Sequence, residues 1–97
     1  MARLADVQLR YLKDRILRGR GHLDAAVRQA AFANAPVPDA LQPMTTKIIE
    51  AAYTVTADDI DRAKEAGYSE NALFDLIASA SVGTGLRRLE IIDALLA

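Results

Sequence analysis

Apolar residues recur along this chain with the spacing of amphipathic helices, and no segment alternates with the period of a strand. The pattern predicts five helices: residues 3–18, residues 23–33, residues 39–53, a short helix from Thr56 and a long one after Ser69. Glycine or proline separates most of them, at Gly19, Gly21, Pro36, Pro38 and Gly67. The sequence therefore predicts an all-α protein, a compact bundle of about five helices.

The apolar faces of these helices identify the residues that we expect in the core. They are small or branched aliphatic side chains more often than aromatic ones, which suits close helix packing. In chain order they are Leu4, Val7, Tyr11, Leu12, Ile16, Leu23, Val27, Ala30, Ala31, Met44, Ile48, Ile49, Ala52, Leu73, Phe74, Leu76, Ile77, Ala80, Leu86, Leu89, Ile92 and Leu96.

Local signals mark the boundaries of the last two helices. Thr56 and Asp59 have the spacing of a capping box, with Asp in place of the usual Glu or Gln. Gly67 is placed to end the fourth helix in a left-handed conformation, and Ser69 to cap the fifth. These signals predict where the fourth helix begins and ends and where the fifth begins.

Two glycines, Gly83 and Gly85, lie within the long last helix. Together they weaken it by roughly 1–2 kcal/mol relative to alanine. We therefore expect a bend at this point, or a place where another backbone comes close.

Composition narrows the possible functions. The chain has 97 residues, enough for one small domain, and 52% of them are hydrophobic. Such an apolar excess in a short chain suggests that some surface is buried against another subunit. There is no cysteine, which excludes disulfides, thiolate metal sites and thiol redox chemistry. No signal peptide or apolar run of about 18 residues is evident, so we expect a cytoplasmic protein without a membrane segment.

Charge is distributed unevenly along the chain. Residues 1–28 hold seven basic and three acidic side chains, whereas residues 56–97 hold eight acidic and four basic ones. The basic first helix could indicate a nucleic-acid partner. The favoured interpretation is that it packs beside the acidic C-terminal half, in the same or a neighbouring subunit.

The segment between Val55 and Arg88 carries a family resemblance. It reads Val-Thr-Ala-Asp-Asp-Ile, then Ala-Gly-Tyr-Ser-Glu-Asn-Ala-Leu-Phe-Asp-Leu, then Ala-Ser-Val-Gly-Thr-Gly-Leu-Arg-Arg. This resembles the all-helical superfamily of alkylhydroperoxidase D and γ-carboxymuconolactone decarboxylase, and the likeness extends in part to residues 41–53. The resemblance implies a compact helical fold that assembles into homo-oligomers. Residues 1–38 would form an N-terminal helical pair in one domain with the family-like core, residues 39–97.

Peroxidases of this superfamily carry a Cys-x-x-Cys pair followed by histidine, on the helix ahead of the Ala-Gly turn. One thiolate attacks and the second resolves the disulfide. The matching places fall near Ala52, Val55 and Asp59, and none is cysteine or histidine. Peroxidase and disulfide-reductase activities are therefore excluded.

The decarboxylase branch, by the same resemblance, works by proton transfer through histidine and carboxylate groups. The only histidine, His22, lies far from the matching segment and is expected to be a solvated turn residue. Glu50 and Asp59 are therefore the candidate catalytic residues. The alternatives are a solvent-facing Glu50 paired with Lys47, and an Asp59 that only stabilises the start of its helix.

Arg87 and Arg88 are candidate ligand-binding residues, because two adjacent guanidinium groups could bind a carboxylate or phosphate. A small organic acid is the ligand class that they suggest. The alternative is that they pair with Glu65, with Glu90 or with a neighbouring subunit. We expect no metal site and no cofactor.

Three functions are consistent with the sequence. The favoured one is an alkylhydroperoxidase-D-like domain without thiols that forms homo-oligomers and binds a small molecule, without peroxidase activity. The second is a carboxymuconolactone decarboxylase-like enzyme that uses carboxylate acid–base chemistry. The third is a helix-turn-helix DNA-binding protein, with residues 73–95 as the motif and Gly83 at its turn. The acidic charge around this segment opposes phosphate contact, so we expect no nucleic-acid partner.

Overall fold

A computed structural model describes residues 4–19 and 21–96, and within the first helix the side chains of residues 10, 11 and 13–18. The chain is 76% helical, and the described residues form five α-helices and no strand, which confirms the all-α prediction. The helices are α1 (Leu4–Arg18), α2 (Ala25–Phe32), α3 (Gln42–Ala51), α4 (Ala57–Glu65) and α5 (Glu70–Leu96), and a 3₁₀ turn (Ala52–Thr54) follows α3.

The caps of the last two helices form as predicted. The Thr56 hydroxyl accepts a hydrogen bond from the Asp59 amide at 3.4 Å, and the Asp59 carboxylate accepts one from the Thr56 amide at 2.9 Å. Gly67 has φ +100°, and its amide donates to the Lys64 carbonyl at 2.9 Å. The Ser69 hydroxyl then accepts from the Ala72 amide at 3.1 Å. The turn between α4 and α5 is therefore fixed by local contacts.

The core lies where α2, α3 and α4 pack on the first half of α5, and α1 lies against α2 and α5. Among its apolar side chains, Leu41, Met44 and Leu76 are no more than 1% exposed. Two buried hydroxyls, those of Thr45 and Ser79, donate to carbonyls one turn earlier in their own helices, at 2.7 Å each. The core is thus made of small and aliphatic residues, as the composition indicates.

Gly83 is the point of closest approach between α5 and α2. A Cβ atom there would lie 2.1 Å from the Phe32 carbonyl oxygen, which confirms the expectation of a close backbone. Gly85, in contrast, has open space around it. Helix α5 runs without interruption through both glycines, so the turn that the helix-turn-helix hypothesis requires at Gly83 is absent.

The predicted core face of α5 is partly wrong. Five of its residues are exposed, namely Phe74 (69%), Ile77 (38%), Leu89 (39%), Ile92 (54%) and Leu96 (71%). The reason is length: α5 extends about 40 Å and α3 only about 15 Å, so the other helices cover one face of its first half. Tyr11 and Ala52 are also exposed, contrary to prediction. The predictions for Leu4, Val7 and Leu12 lie outside the described side chains.

None of the helices in the described ranges combines the length and the apolar character that a membrane span requires.

Candidate functional sites

Asp59 is almost completely buried at the start of α4, and one oxygen of its carboxylate accepts three hydrogen bonds. Its Oδ2 accepts hydrogen bonds from Lys47 Nζ at 2.7 Å, from the Thr56 amide at 2.9 Å and from the Thr56 hydroxyl at 3.1 Å. The Lys47 hydrogen bond first, and the Thr56 amide next, lower the pKa of Asp59 to about 2. A carboxylate that stays ionised at neutral pH is a poor proton carrier. These contacts favour a structural role for Asp59.

The lowered pKa of Asp59 predicts how stability depends on pH. Because the folded pKa lies below the unfolded value, the stabilisation is complete above about pH 4 and is lost as the pH falls toward about 2. We expect the urea midpoint of the wild type to fall across this range, and that of Asp59→Asn to fall less. The matched control is Asp58→Asn, an exposed neighbour in the same turn. A difference between wild type and Asp59→Asn that is the same at every pH would contradict this assignment.

Glu50 is exposed on the last turn of α3. Its predicted partner Lys47 binds Asp59 instead, so the predicted pairing is wrong. Within the described ranges, no hydrogen bond or ion pair holds the Glu50 side chain. A general acid or base has to be positioned and partly desolvated, and Glu50 is neither here. Its catalytic role stays a prediction.

Arg87 and Arg88 bind backbone carbonyls on two different helices. Arg87 donates to the carbonyl of Phe32, the last residue of α2, and to the Thr84 hydroxyl at 3.3 Å. Arg88 donates to the carbonyl of Ile49, near the end of α3, at 3.3 Å. Cations at helix C-termini are favourable, because the last carbonyls there lack helical partners. The two arginines therefore diverge, and neither forms the predicted pair with Glu65 or Glu90.

Arg87 also lines a cleft with a volume of about 450 Å³, which is larger than the cleft described next. This Arg87 cleft lies between α1, the end of α2 and the second half of α5. Its charged side chains are Arg10, Lys13, Arg87, Glu90 and Asp93. Lys13 Nζ lies 5.6 Å from the centre of the Phe32 ring, a cation–π contact at the cleft wall. Glu50 and Asp59 line neither this cleft nor the smaller one described next.

The smaller cleft, of about 310 Å³, lies between α1 and the first half of α5 and is lined by Arg28, which we did not predict as a site residue. Arg28 is 6% exposed and donates to the carbonyls of Ile16 at 2.7 Å and Gly19 at 2.8 Å. It thereby holds the end of α1 against α2. One sequence signal could have found it: Arg28 lies three residues before Ala31, on the apolar face of α2.

His22 is exposed, as predicted, and its backbone amide forms a hydrogen bond with α5. The Asp75 carboxylate on α5 accepts hydrogen bonds from the amides of His22 at 2.7 Å and Leu23 at 3.1 Å. Gly21 passes between this carboxylate and Arg28, where a Cβ atom would lie 2.9 Å from Asp75 Oδ2. These contacts tie the α1–α2 loop to α5 beside the smaller cleft.

An uncharged stripe runs the length of α5 on the face opposite the core. It consists of Phe74, Ala78, Ser81, Gly85, Leu89, Ile92 and Leu96, and we call it the α5 stripe. The spacings of three and four residues place all seven on one helix face. All are exposed except Ala78, which is half-buried. The stripe is about 33 Å long, since a helix rises 1.5 Å per residue.

No family model, curated protein or solved structure matches this chain.

Proposed function

We propose that this protein is a self-associating, thiol-free helical domain of the alkylhydroperoxidase-D-like type, whose subunits pair through the α5 stripe. The observation that carries the proposal is the stripe itself, an exposed apolar face without a charged residue. Gly85 lies at its centre, exposed and with nothing near its Cβ position. A glycine inside an exposed helix destabilises that helix by about 1 kcal/mol relative to alanine. Among the described residues no contact accounts for a glycine at position 85, whereas close approach of a second backbone does.

The extent of the stripe fits an interface between subunits. Soluble monomers rarely expose contiguous apolar patches larger than a few hundred Å². Ile77 and Leu95 adjoin the stripe and are 38% and 80% exposed. With these two, the patch extends about 33 Å along one side of α5, and a standard interface buries roughly 800 Å² on each partner. A second copy of the chain is therefore an occupant of suitable size.

The order of side chains along the stripe favours an antiparallel pair. If two α5 helices meet at Gly85, Ser81 lies opposite Leu89 of the partner subunit and Ala78 lies opposite Ile92 of the partner subunit. Each of these small residues thus faces a large one, which lets the surfaces interdigitate. A parallel pair in register would place Ala78 and Ser81 against their own copies and leave gaps. Such self-complementarity is the property that a two-fold interface needs.

The family resemblance of residues 55–88 supports the same proposal, because it implies homo-oligomers. Because the chain has no cysteine, it cannot carry out the thiol chemistry of the peroxidases. For the decarboxylase alternative no contact in the described residues provides support, since Asp59 is engaged as a cap and Glu50 is exposed. Self-association is thus the function with the most direct structural support.

The test compares two adjacent isoleucines of α5. Ile92 lies on the stripe, and Ile91 lies about 100° away around the helix, yet both are more than half exposed. We expect the wild type to sediment as a dimer or larger oligomer. Ile92→Glu should weaken association by about a hundredfold, because it places a charge in an apolar contact. Ile91→Glu, the matched control, should associate as the wild type does.

Sedimentation velocity over a range of concentrations measures all three proteins. A wild type that remains monomeric at high concentration would refute the proposal. Equal loss of association in Ile91→Glu and Ile92→Glu would show that the stripe is not the contact.

A further inference from the structure

The smaller cleft between α1 and α5 holds a buried positive charge without a direct ion pair. Arg28 lines this cleft and is 6% exposed. In the described part of the chain no carboxylate lies within 4.0 Å of its guanidinium. Buried charges in folded proteins are usually paired, because removing a charge from water is costly. Arg28 therefore lacks a direct ion pair, although the Asp75 carboxylate lies nearby, across Gly21.

The hydrogen bonds of Arg28 are incomplete as well. Its two terminal nitrogens donate to the carbonyls of Ile16 and Gly19, but its Nε has no partner among the residues described. This nitrogen is also shielded from solvent, so water does not replace the missing acceptor. An unpaired buried donor destabilises a folded protein. A bound anion cannot reach this sealed nitrogen, but beside the two terminal nitrogens it would offset the positive charge of the guanidinium.

The nearest candidate within the chain does not fill this role. Asp75 lines the same cleft, but its Oδ2 accepts hydrogen bonds from the amides of His22 and Leu23 and forms no ion pair with Arg28. A second guanidinium, that of Arg15, lines the cleft and is exposed. The cleft thus carries two positive charges and one negative charge, a net charge of +1.

Apart from Ser79, whose hydroxyl donates to the Asp75 carbonyl, the remaining walls of the cleft are apolar. Ile16 of α1 and Phe74, Ala78 and Val82 of α5 provide them. The volume of about 310 Å³ is at the lower end of the range for ligand pockets, which suits a small molecule. Apolar walls with a cationic group indicate a ligand with an apolar body and one anionic group.

We propose that this cleft binds a small monocarboxylic acid, whose carboxylate lies beside Arg28 and Arg15 and whose apolar body packs against Ile16, Phe74 and Val82. The site is separate from Arg87 and Arg88, the positions that the sequence singled out. All its lining residues come from one chain, but Phe74 and Ala78 also belong to the α5 stripe, so a subunit that pairs there competes with the ligand.

Benzoate is the probe, and the Nε–H group of Arg28 provides the readout by NMR of isotope-labelled protein. Benzoate should shift this signal and the Val82 amide signal in a saturable manner. Two control compounds distinguish the contribution of the charge from that of the apolar body. Benzyl alcohol keeps the ring without the charge, and inorganic phosphate keeps a charge without the apolar body. Neither should shift the two signals together at the same concentration.

Two variants leave Arg28 and its hydrogen bonds in place. Val82→Phe fills the cleft and should weaken benzoate binding at least about tenfold. Arg15→Gln removes the exposed guanidinium and should weaken it several-fold. Circular dichroism checks that both variants remain folded.

The proposal is overturned if benzoate causes no saturable shift of the Arg28 signal. Equal shifts with phosphate would indicate a general response to anions and would also overturn it. Undiminished benzoate binding in folded Val82→Phe would place the ligand elsewhere.

Discussion

Replacing Gly83 with alanine is expected to lower the free energy of unfolding by about 3 kcal/mol, the upper end of the usual effect of overpacking. The added Cβ would lie 2.1 Å from the Phe32 carbonyl oxygen and within 2.9 Å of two further backbone atoms of that residue. Backbone atoms cannot rotate away as a flexible side chain can, so α2 and α5 have to separate. The loss exceeds the gain of about 1 kcal/mol that alanine brings to a helix. Urea denaturation followed by circular dichroism measures the change.

Gly85→Ala is the matched control, two residues further along the same helix. No atom lies within 4 Å of its Cβ position, so only the helix propensity of alanine should act. We expect a gain of up to about 1 kcal/mol for dilute, dissociated protein. Opposite signs for the two substitutions would confirm that Gly83 is required by packing within the chain. Equal effects would contradict the close approach of α2 and α5.

Contacts between near neighbours in the sequence were the most predictable part of this fold. The capping box of Thr56 and Asp59, the left-handed Gly67 and the Ser69 cap each involve residues no more than a few positions apart. Their geometry depends little on the rest of the molecule. The helix boundaries around these caps follow from the same signals. For this reason the sequence predicted five helices and no strand.

The faces of α5 could not be predicted, because the helix is apolar on two sides. Leu76 and Ala80 lie in the core, whereas Phe74 and Ile77 face outward, although all four are hydrophobic. Periodicity separates an apolar face from a polar one and does not rank two apolar faces. Which of them is buried depends on where α2 and α3 dock, and that is a property of the whole fold.

The sequence shows which helices carry the charged groups, but it did not predict which group each of them binds. Lys47 was expected to pair with Glu50, three residues away, and instead binds Asp59 across the α3–α4 junction. Arg28 was not predicted as a site residue, because its burial requires α1 to fold back over α2 and α5. A single sequence gives little indication of such long-range contacts. The one indication here is that Arg28 has the helical spacing of the apolar residues of α2.

An introduced cysteine offers the sharpest test of the proposed antiparallel pair, because the chain has no cysteine of its own. Gly85→Cys should form a disulfide-linked dimer in nearly full yield on mild oxidation, since residue 85 would face its own copy. A disulfide needs Cα atoms about 4.4–6.8 Å apart, which only close contact provides. Ile91→Cys, outside the stripe, should remain monomeric on a non-reducing gel.

The orientation of the pair follows from two further variants, Ala78→Cys and Ile92→Cys. In the antiparallel arrangement these positions face each other, so neither variant should cross-link alone, and an equimolar mixture should yield the mixed dimer. In a parallel arrangement each variant would cross-link with its own copy, because residue 78 would face residue 78. Mass spectrometry distinguishes the mixed dimer from the two symmetric ones.

Symmetric dimers of both variants would reject the antiparallel register but keep the stripe as the interface. No cross-link at any stripe position would reject the interface itself.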